Sequence, residues 1–229
     1  MNQTYPKPLL GADNNALIAL VSINIIVAIV LGFFRVLYFL EGFTFDAYQI
    51  EVFQLATLIP QQIQIHPWTL LTFNWTHAGF WDLLTNMVWL AAFCNILQNL
   101  GANKHLFPIY FYSGLVAGLV YLFSGATTAF LGAHIGVLAL AFAATMHSPK
   151  YKFLANAKGG GIPLWGVTLI YLSIAVPSLI ANPWQQQLAV LLGGLFGVFY
   201  ILLLKKRIDL GNWMHQLLSL LNNSLRPKQ

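Results

Sequence analysis

Charged residues are scarce in this chain. Asp, Glu, Lys and Arg make up 7% of its 229 residues, against roughly 25% in soluble domains. So few charges cannot clothe a compact water-soluble fold of this size. With 58% apolar residues and a mean hydropathy of +0.70, the solvent that suits the surface is lipid. The same composition excludes a disordered chain, a collagen and a coiled coil. Cysteine is nearly absent: Cys94 stands alone in an apolar run, so it forms no intrachain disulfide and says little about redox compartment. The net charge of +5 does not point to nucleic acid, because the 11 basic residues are scattered between apolar runs instead of gathered on one polar face.

What the chain has in abundance is long apolar runs. A bilayer core needs about 20 such residues per helix, and six runs are expected to span: Ala16 to Leu40, Trp81 to Leu97, Leu106 to Phe123, Thr127 to Met146, Ile162 to Ile180 and Leu188 to Leu204. The first run is too long for a signal peptide and lacks a small-residue cleavage site, so it is read as a retained span. Lys and Arg are missing between Arg35 and Lys104, a stretch that holds Glu41, Asp46, Glu51 and Asp82. Lys7, Lys104, the group Lys150, Lys152 and Lys158, and the group Lys205, Lys206 and Arg207 fall in alternate connections. That alternation is the positive-inside pattern for six spans with both termini in the cytoplasm. Arg35 is expected to anchor the outer end of the first span, snorkelling outward or meeting Glu41.

The connection from Glu41 to Thr76 is rich in aromatics, including Phe43, Phe45, Trp68 and Trp75. It is expected to lie on or partly in the outer leaflet. Residues 205–229 form a cytoplasmic tail in which Trp213, Leu217, Leu220 and Leu221 recur at helical spacing, the pattern of a short amphipathic surface helix. Glycines four apart occur three times, at Gly114 and Gly118, Gly132 and Gly136, and Gly193 and Gly197. Such GxxxG pairs let a neighbouring helix approach closely, so tight packing of spans three, four and six is expected.

Ionisable groups within the spans are expensive in hydrocarbon and are functional candidates by default. Those inside or beside the spans are His77, Asp82 and His134, besides Arg35, with Asn86 one turn beyond Asp82 on the same helix face. Two roles are open for them. Asp82 can cap the start of its helix and His134 can hydrogen-bond a neighbouring helix, or the group can take part in chemistry.

In order along the chain, Pro67-Trp68-Thr69-Leu70-Leu71-Thr72, His77-Ala78-Gly79-Phe80, Asn86-Met87, Gly132-Ala133-His134-Ile135-Gly136 and Gly193-Gly194-Leu195-Phe196-Gly197 resemble the rhomboid intramembrane protease family over roughly residues 15 to 220. The basic segment Leu204 to Gly211 is similar to that of bacterial members. The resemblance implies a single all-α membrane domain over 1–229, a six-transmembrane-helix bundle with a large outer loop between spans one and two. It also implies an intramembrane serine endopeptidase chemistry, in which a serine in a Gly-x-Ser-Gly motif is activated by a histidine in span six. Here His134 stands at the nucleophile position, Ile135 replaces the following glycine, and Leu191 is taken as the base position. Asn86 matches the family's oxyanion asparagine, and Asp82 stands where the family has histidine, a carboxylate that would repel a developing oxyanion.

The expectation is therefore a rhomboid-fold pseudoprotease in a bacterial inner membrane, engaging transmembrane segments of other membrane proteins and membrane lipid, with no nucleic-acid partner. No cofactor and no metal are expected. The alternatives are an intramembrane serine endopeptidase with an unusual site, served by Ser124 or Ser178, and a metal- or proton-binding membrane protein using His77, Asp82 and His134. A deliberately altered active protease would carry the same residues.

Overall fold

A computed structural model describes residues 16–154, 160–214 and 216. The helices follow the apolar runs: α1 (Ala16–Leu40), α2 (Phe45–Glu51), α3 (Thr69–Thr72), α4 (Phe80–Asn99), α5 (Leu106–Phe123), α6 (His134–His147), α7 (Leu164–Ile180) and α8 (Trp184–Lys205). A short antiparallel pair, β1 (Lys152–Phe153) with β2 (Ile162–Pro163), sets Lys152 opposite Pro163 and joins α6 to α7. Among the described residues four segments are long and apolar enough to cross a membrane: α1, α4, α5 with the turn before it (Asn103–Phe123), and α8. Helices α6 and α7 are apolar but shorter.

The expected fourth span is corrected at its start. Residues from Thr127 to Ala133 are not helical, because Leu58 and Phe130 exchange backbone hydrogen bonds at 2.8 Å in both directions. An extended bridge and a helical turn make incompatible demands on the same N–H and C=O groups. The ring of Phe130 then stacks between Phe73, at a centroid distance of 5.2 Å, and Tyr121, at 4.4 Å. The outer connection is thereby drawn into the protein: Leu58 and Phe73 are fully buried, while Phe43, Phe45 and Ile50 remain exposed. Arg35 stacks 4.8 Å above the Phe45 ring; among the described residues it makes no ion pair with Glu41.

Helix α6 is the hub. Seven consecutive residues from Ile135 to Ala141 are buried, so the helix is enclosed on all sides. Its small residues, Gly136, Ala139, Ala141, Ala143 and Ala144, let neighbours come close. Helix α8 exploits this with Gly193 and Gly197. A Cβ on Gly193 would stand 2.7 Å from Ile135 Cγ2 and 2.8 Å from both Ala117 Cβ and the Ser113 carbonyl oxygen, and one on Gly197 would run into the Ala139 carbonyl. The close packing expected of spans three, four and six is present as α5, α6 and α8.

The other glycine pairs act differently from the expectation. Gly114 and Gly118 on α5 receive Asn74, Leu70 and Phe73 from the outer connection, not another long helix. Gly132 lies in the turn before α6, so Gly132 and Gly136 do not form a pair on one helix face. Of the expected tail helix, Leu217, Leu220 and Leu221 lie outside the described residues, as do Lys7 and Lys158. Trp213 is described, and its indole N–H donates to the Tyr112 hydroxyl at 2.5 Å.

Candidate functional site

Between α4, α6, α7 and α8 lies a cavity of 490 Å³ that contains Asp82, Asn86, His134, Tyr171, Gln186 and Val190. Four chain segments build it. The first turn of α4 presents Asp82, which reaches back over the helix end and accepts the Ala78 N–H at 2.9 Å. That is the capping role open to it from sequence, and a carboxylate is favoured at this end of a helix. One turn on, Asn86 is 5% exposed and its amide donates to both the Asp82 backbone oxygen, at 2.9 Å, and Asp82 Oδ1, at 2.8 Å. An amide nitrogen carries two donors, so both are used on Asp82 and neither points at the cavity.

His134 opens α6. Its ring fills the space a Cβ on Gly132 would need, and so Gly132 is required for this placement. The imidazole has no hydrogen-bond partner among the described residues, while its backbone oxygen receives the Tyr171 hydroxyl at 3.4 Å. Tyr171 itself is held by Trp89 and Phe93 of α4, at ring distances of 5.2 and 5.5 Å. Gln186, from the first turn of α8, donates to the Ala129 carbonyl at 3.2 Å and so ties α8 to the extended segment before α6.

Leu191 is not in the cavity. It is 46% exposed, and the α8 residues that line the cavity with His134 are Gln186 and Val190, the latter 3% exposed. This corrects the placement of Leu191. The helix face that packs on α5 and α6 is marked by the pair Gly193 and Gly197; Val190, three positions before the first and seven before the second, shares their face, and Leu191, two and six before them, does not. Val190 was thus discoverable from the glycine spacing. Tyr171 and Gln186 had no such signal, since each is brought in by the packing of α7 and α8.

His77 is also turned away. Its Nε2 lies 3.0 Å from Asn24 Oδ1, on α1, and its Nδ1 is 3.7 Å from Asp82 Oδ2, too far for a hydrogen bond. Around Asn24 runs a buried polar network that sequence reading missed. The Asn24 amide donates to the Leu20 carbonyl at 2.8 Å, and the Tyr110 hydroxyl donates to the Asn74 carbonyl at 2.9 Å and lies 3.2 Å from Asn24 Oδ1. It ties α1, α5 and the outer connection to the side of the cavity.

Neither alternative chemistry finds its residues assembled. Among the described residues no three His, Cys, Asp or Glu side chains converge as metal ligands, so His77, Asp82 and His134 do not make a metal centre. The hydroxyl of Ser124 donates to the Tyr121 carbonyl of its own helix at 2.7 Å, outside the cavity. The side chain of Ser178 lies outside the described residues. Of the hydroxyl-bearing residues that line the cavity, Thr85 and Tyr171, neither is hydrogen-bonded to a histidine or carboxylate side chain.

Comparison with curated proteins finds no match, and comparison with solved structures finds none either. The family model of the Rhomboid domain matches residues 64–207, from the outer connection through α8 and across every segment that lines the cavity. The chain therefore belongs to the Rhomboid domain family, as a membrane protein built on that domain.

Proposed function

We propose that this protein is a proteolytically inactive member of its family that engages transmembrane segments of other membrane proteins. The observation that carries the reading is the content of the cavity. His134 stands at the nucleophile position that the family motif implies, and the residues that α8 contributes to the cavity beside it, Gln186 and Val190, include no base. A hydroxyl must be paired with a base to attack a peptide carbonyl, and the cavity offers no such pair. Asp82 adds a carboxylate where negative charge would develop, and the Asn86 donors are already committed to it.

Engagement of a transmembrane segment is supported by the apolar walls. Trp89, Leu138, Leu172, Val176 and Leu179 line the cavity beside the polar cluster. A helix carrying one polar group among apolar neighbours matches such a lining. The chain crosses the bacterial inner membrane six times with both termini in the cytoplasm. In this reading α6 is completed by the extended segment before it, which is acceptable at membrane depth because its backbone is hydrogen-bonded within the protein.

The test uses purified protein in micelles. It is expected to leave a single-span peptide intact, to take up no fluorophosphonate, and to crosslink to that peptide from a photoreactive residue at Val176. Stoichiometric fluorophosphonate labelling at any serine or threonine refutes inactivity. Absence of crosslinking from Val176, or a yield there no higher than from exposed Ile18, refutes engagement at the cavity.

A further inference from the structure

We propose that the opposite end of the bundle holds a binding site for the phosphate of an anionic phospholipid. A second cavity, of 440 Å³, lies there, and five basic side chains line it: Lys104, His105, His147, Lys205 and Arg207. They come from three separate parts of the chain: the turn before α5, the last residue of α6, and the end of α8 with the turn after it. The positive-inside rule requires only that cations lie in the loops of one side. It does not require three segments to deliver them into one cavity.

The charge is not neutralised among the described residues. Asp209 is the single carboxylate in the lining, and it is shared between Lys104 Nζ, at 3.6 Å, and His105 Nδ1, at 3.8 Å. Its Oδ1 also accepts the Gly211 N–H at 2.9 Å and the Tyr200 hydroxyl at 3.3 Å. Among the described residues Lys205 reaches only the Met146 carbonyl, at 3.5 Å. The Arg207 guanidinium makes no hydrogen bond or ion pair among the described residues. Three permanent cations thus face one carboxylate, and the excess suits a phosphate, with the guanidinium fork offering paired donors to its oxygens.

Arg207 is also held where its residue type is disfavoured. Its φ is +64°, in the left-handed region. It follows the end of α8 at the position where the Ile208 N–H returns to the Leu203 carbonyl at 3.0 Å, a helix-ending turn that usually places glycine there. An arginine in that conformation costs stability that glycine would not, and what it adds is a guanidinium at the mouth of the cavity.

The remaining wall decides between a lipid and a free anion. Leu100, Ala102, Ile201 and Leu204 line the same cavity. They stand at the ends of α4 and α8, where a membrane helix passes from hydrocarbon to headgroup. A ligand that joins a phosphate to glycerol and acyl carbon matches both the cations and the apolar lining, whereas inorganic phosphate uses only the cations.

The full chain in dodecyl maltoside micelles gives the test, with the thermal midpoint as readout. Phosphatidylglycerol is expected to raise the midpoint in a saturable way, and phosphatidylcholine or inorganic phosphate at equal phosphate concentration is expected not to. Arg207→Gly removes the charge and relaxes the backbone together. Its lipid-free midpoint should equal or exceed that of the parent, while phosphatidylglycerol binds about five-fold more weakly. Arg207→Lys should keep most of the response, and Lys150→Gln, outside the cavity, all of it. An undiminished phosphatidylglycerol response in Arg207→Gly overturns the proposal. So does an equal loss in Lys150→Gln, which would mean diffuse surface attraction, or a full response to inorganic phosphate, which would mean a free-anion site. Membrane orientation does not enter, so the outcome is independent of the topology proposed above.

Discussion

Replacing Gly197 with alanine is the sharpest test of how α8 is seated, because the same substitution at Gly32 should have the opposite sign. Within a helix, alanine is favoured over glycine by about 0.8–1.0 kcal/mol. At Gly32 on α1 nothing lies within 4 Å of an added Cβ, so that gain should survive and the variant should be more stable by about 0.5–1 kcal/mol. At Gly197 the added Cβ meets the carbonyl carbon and oxygen of Ala139 on α6. A backbone group in the middle of an enclosed helix cannot rotate away as a side-chain tip can. Two helices must separate, which belongs at the upper end of the roughly 1–3 kcal/mol cost of overpacking. Subtracting the propensity gain leaves a net loss of about 2 kcal/mol, and a difference of about 3 kcal/mol between the two variants. Unfolding by sodium dodecyl sulfate in mixed micelles, followed by tryptophan fluorescence, measures both. If Gly197→Ala came within about 0.5 kcal/mol of Gly32→Ala, α8 would not rest on the α6 backbone and the seating described here would be wrong.

Two further outcomes follow from the electrostatics and the topology. Burial alone would raise the Asp209 carboxyl, but the Gly211 N–H and the nearby His105 and Lys104 outweigh it and hold it below its usual value. A depressed folded-state value means that the carboxylate stabilises the fold above about pH 4 and loses that contribution as pH falls through its folded value. Asp209→Asn should be less stable at neutral pH and flatter in acid; an unchanged acid limb would remove Asp209 from the account. With Cys94 replaced by alanine, a cysteine at exposed Gln64 should react only from the outer side and one at Lys150 only from the cytoplasm, and the reverse pattern would invert the topology.

Composition and hydropathy were enough to read a membrane protein with helices close to α1, α4, α5, α7 and α8. Each of those helices buries its own backbone hydrogen bonds and meets lipid on its exposed face, so the chain must be apolar along its length wherever they occur. Family membership was also legible, from short motifs in order. Asp82 and Asn86 could be placed on one face because a helical turn is local, and the structure joins them directly.

Only the tertiary structure decided which apolar stretch is not a helix. Thr127 to Ala133 is apolar enough to continue α6, but it is claimed by a strand-like bridge to Leu58, a residue about seventy positions away, and nothing local reports that competition. The same holds for the choice between Val190 and Leu191. Both are aliphatic neighbours on one helix, and which of them lines the cavity depends on the rotation of α8 about its axis, set by Gly193 and Gly197 against α5 and α6. The inner cavity is the clearest case. Lys104, Lys205 and Arg207 read in sequence as separate cations in alternate connections, and with His147 they line one cavity because the turn before α5 and the ends of α6 and α8 meet. Hydropathy is a sum along the chain and survives any arrangement of the helices, whereas a site is a coincidence of side chains from distant segments, which exists only once the helices have packed.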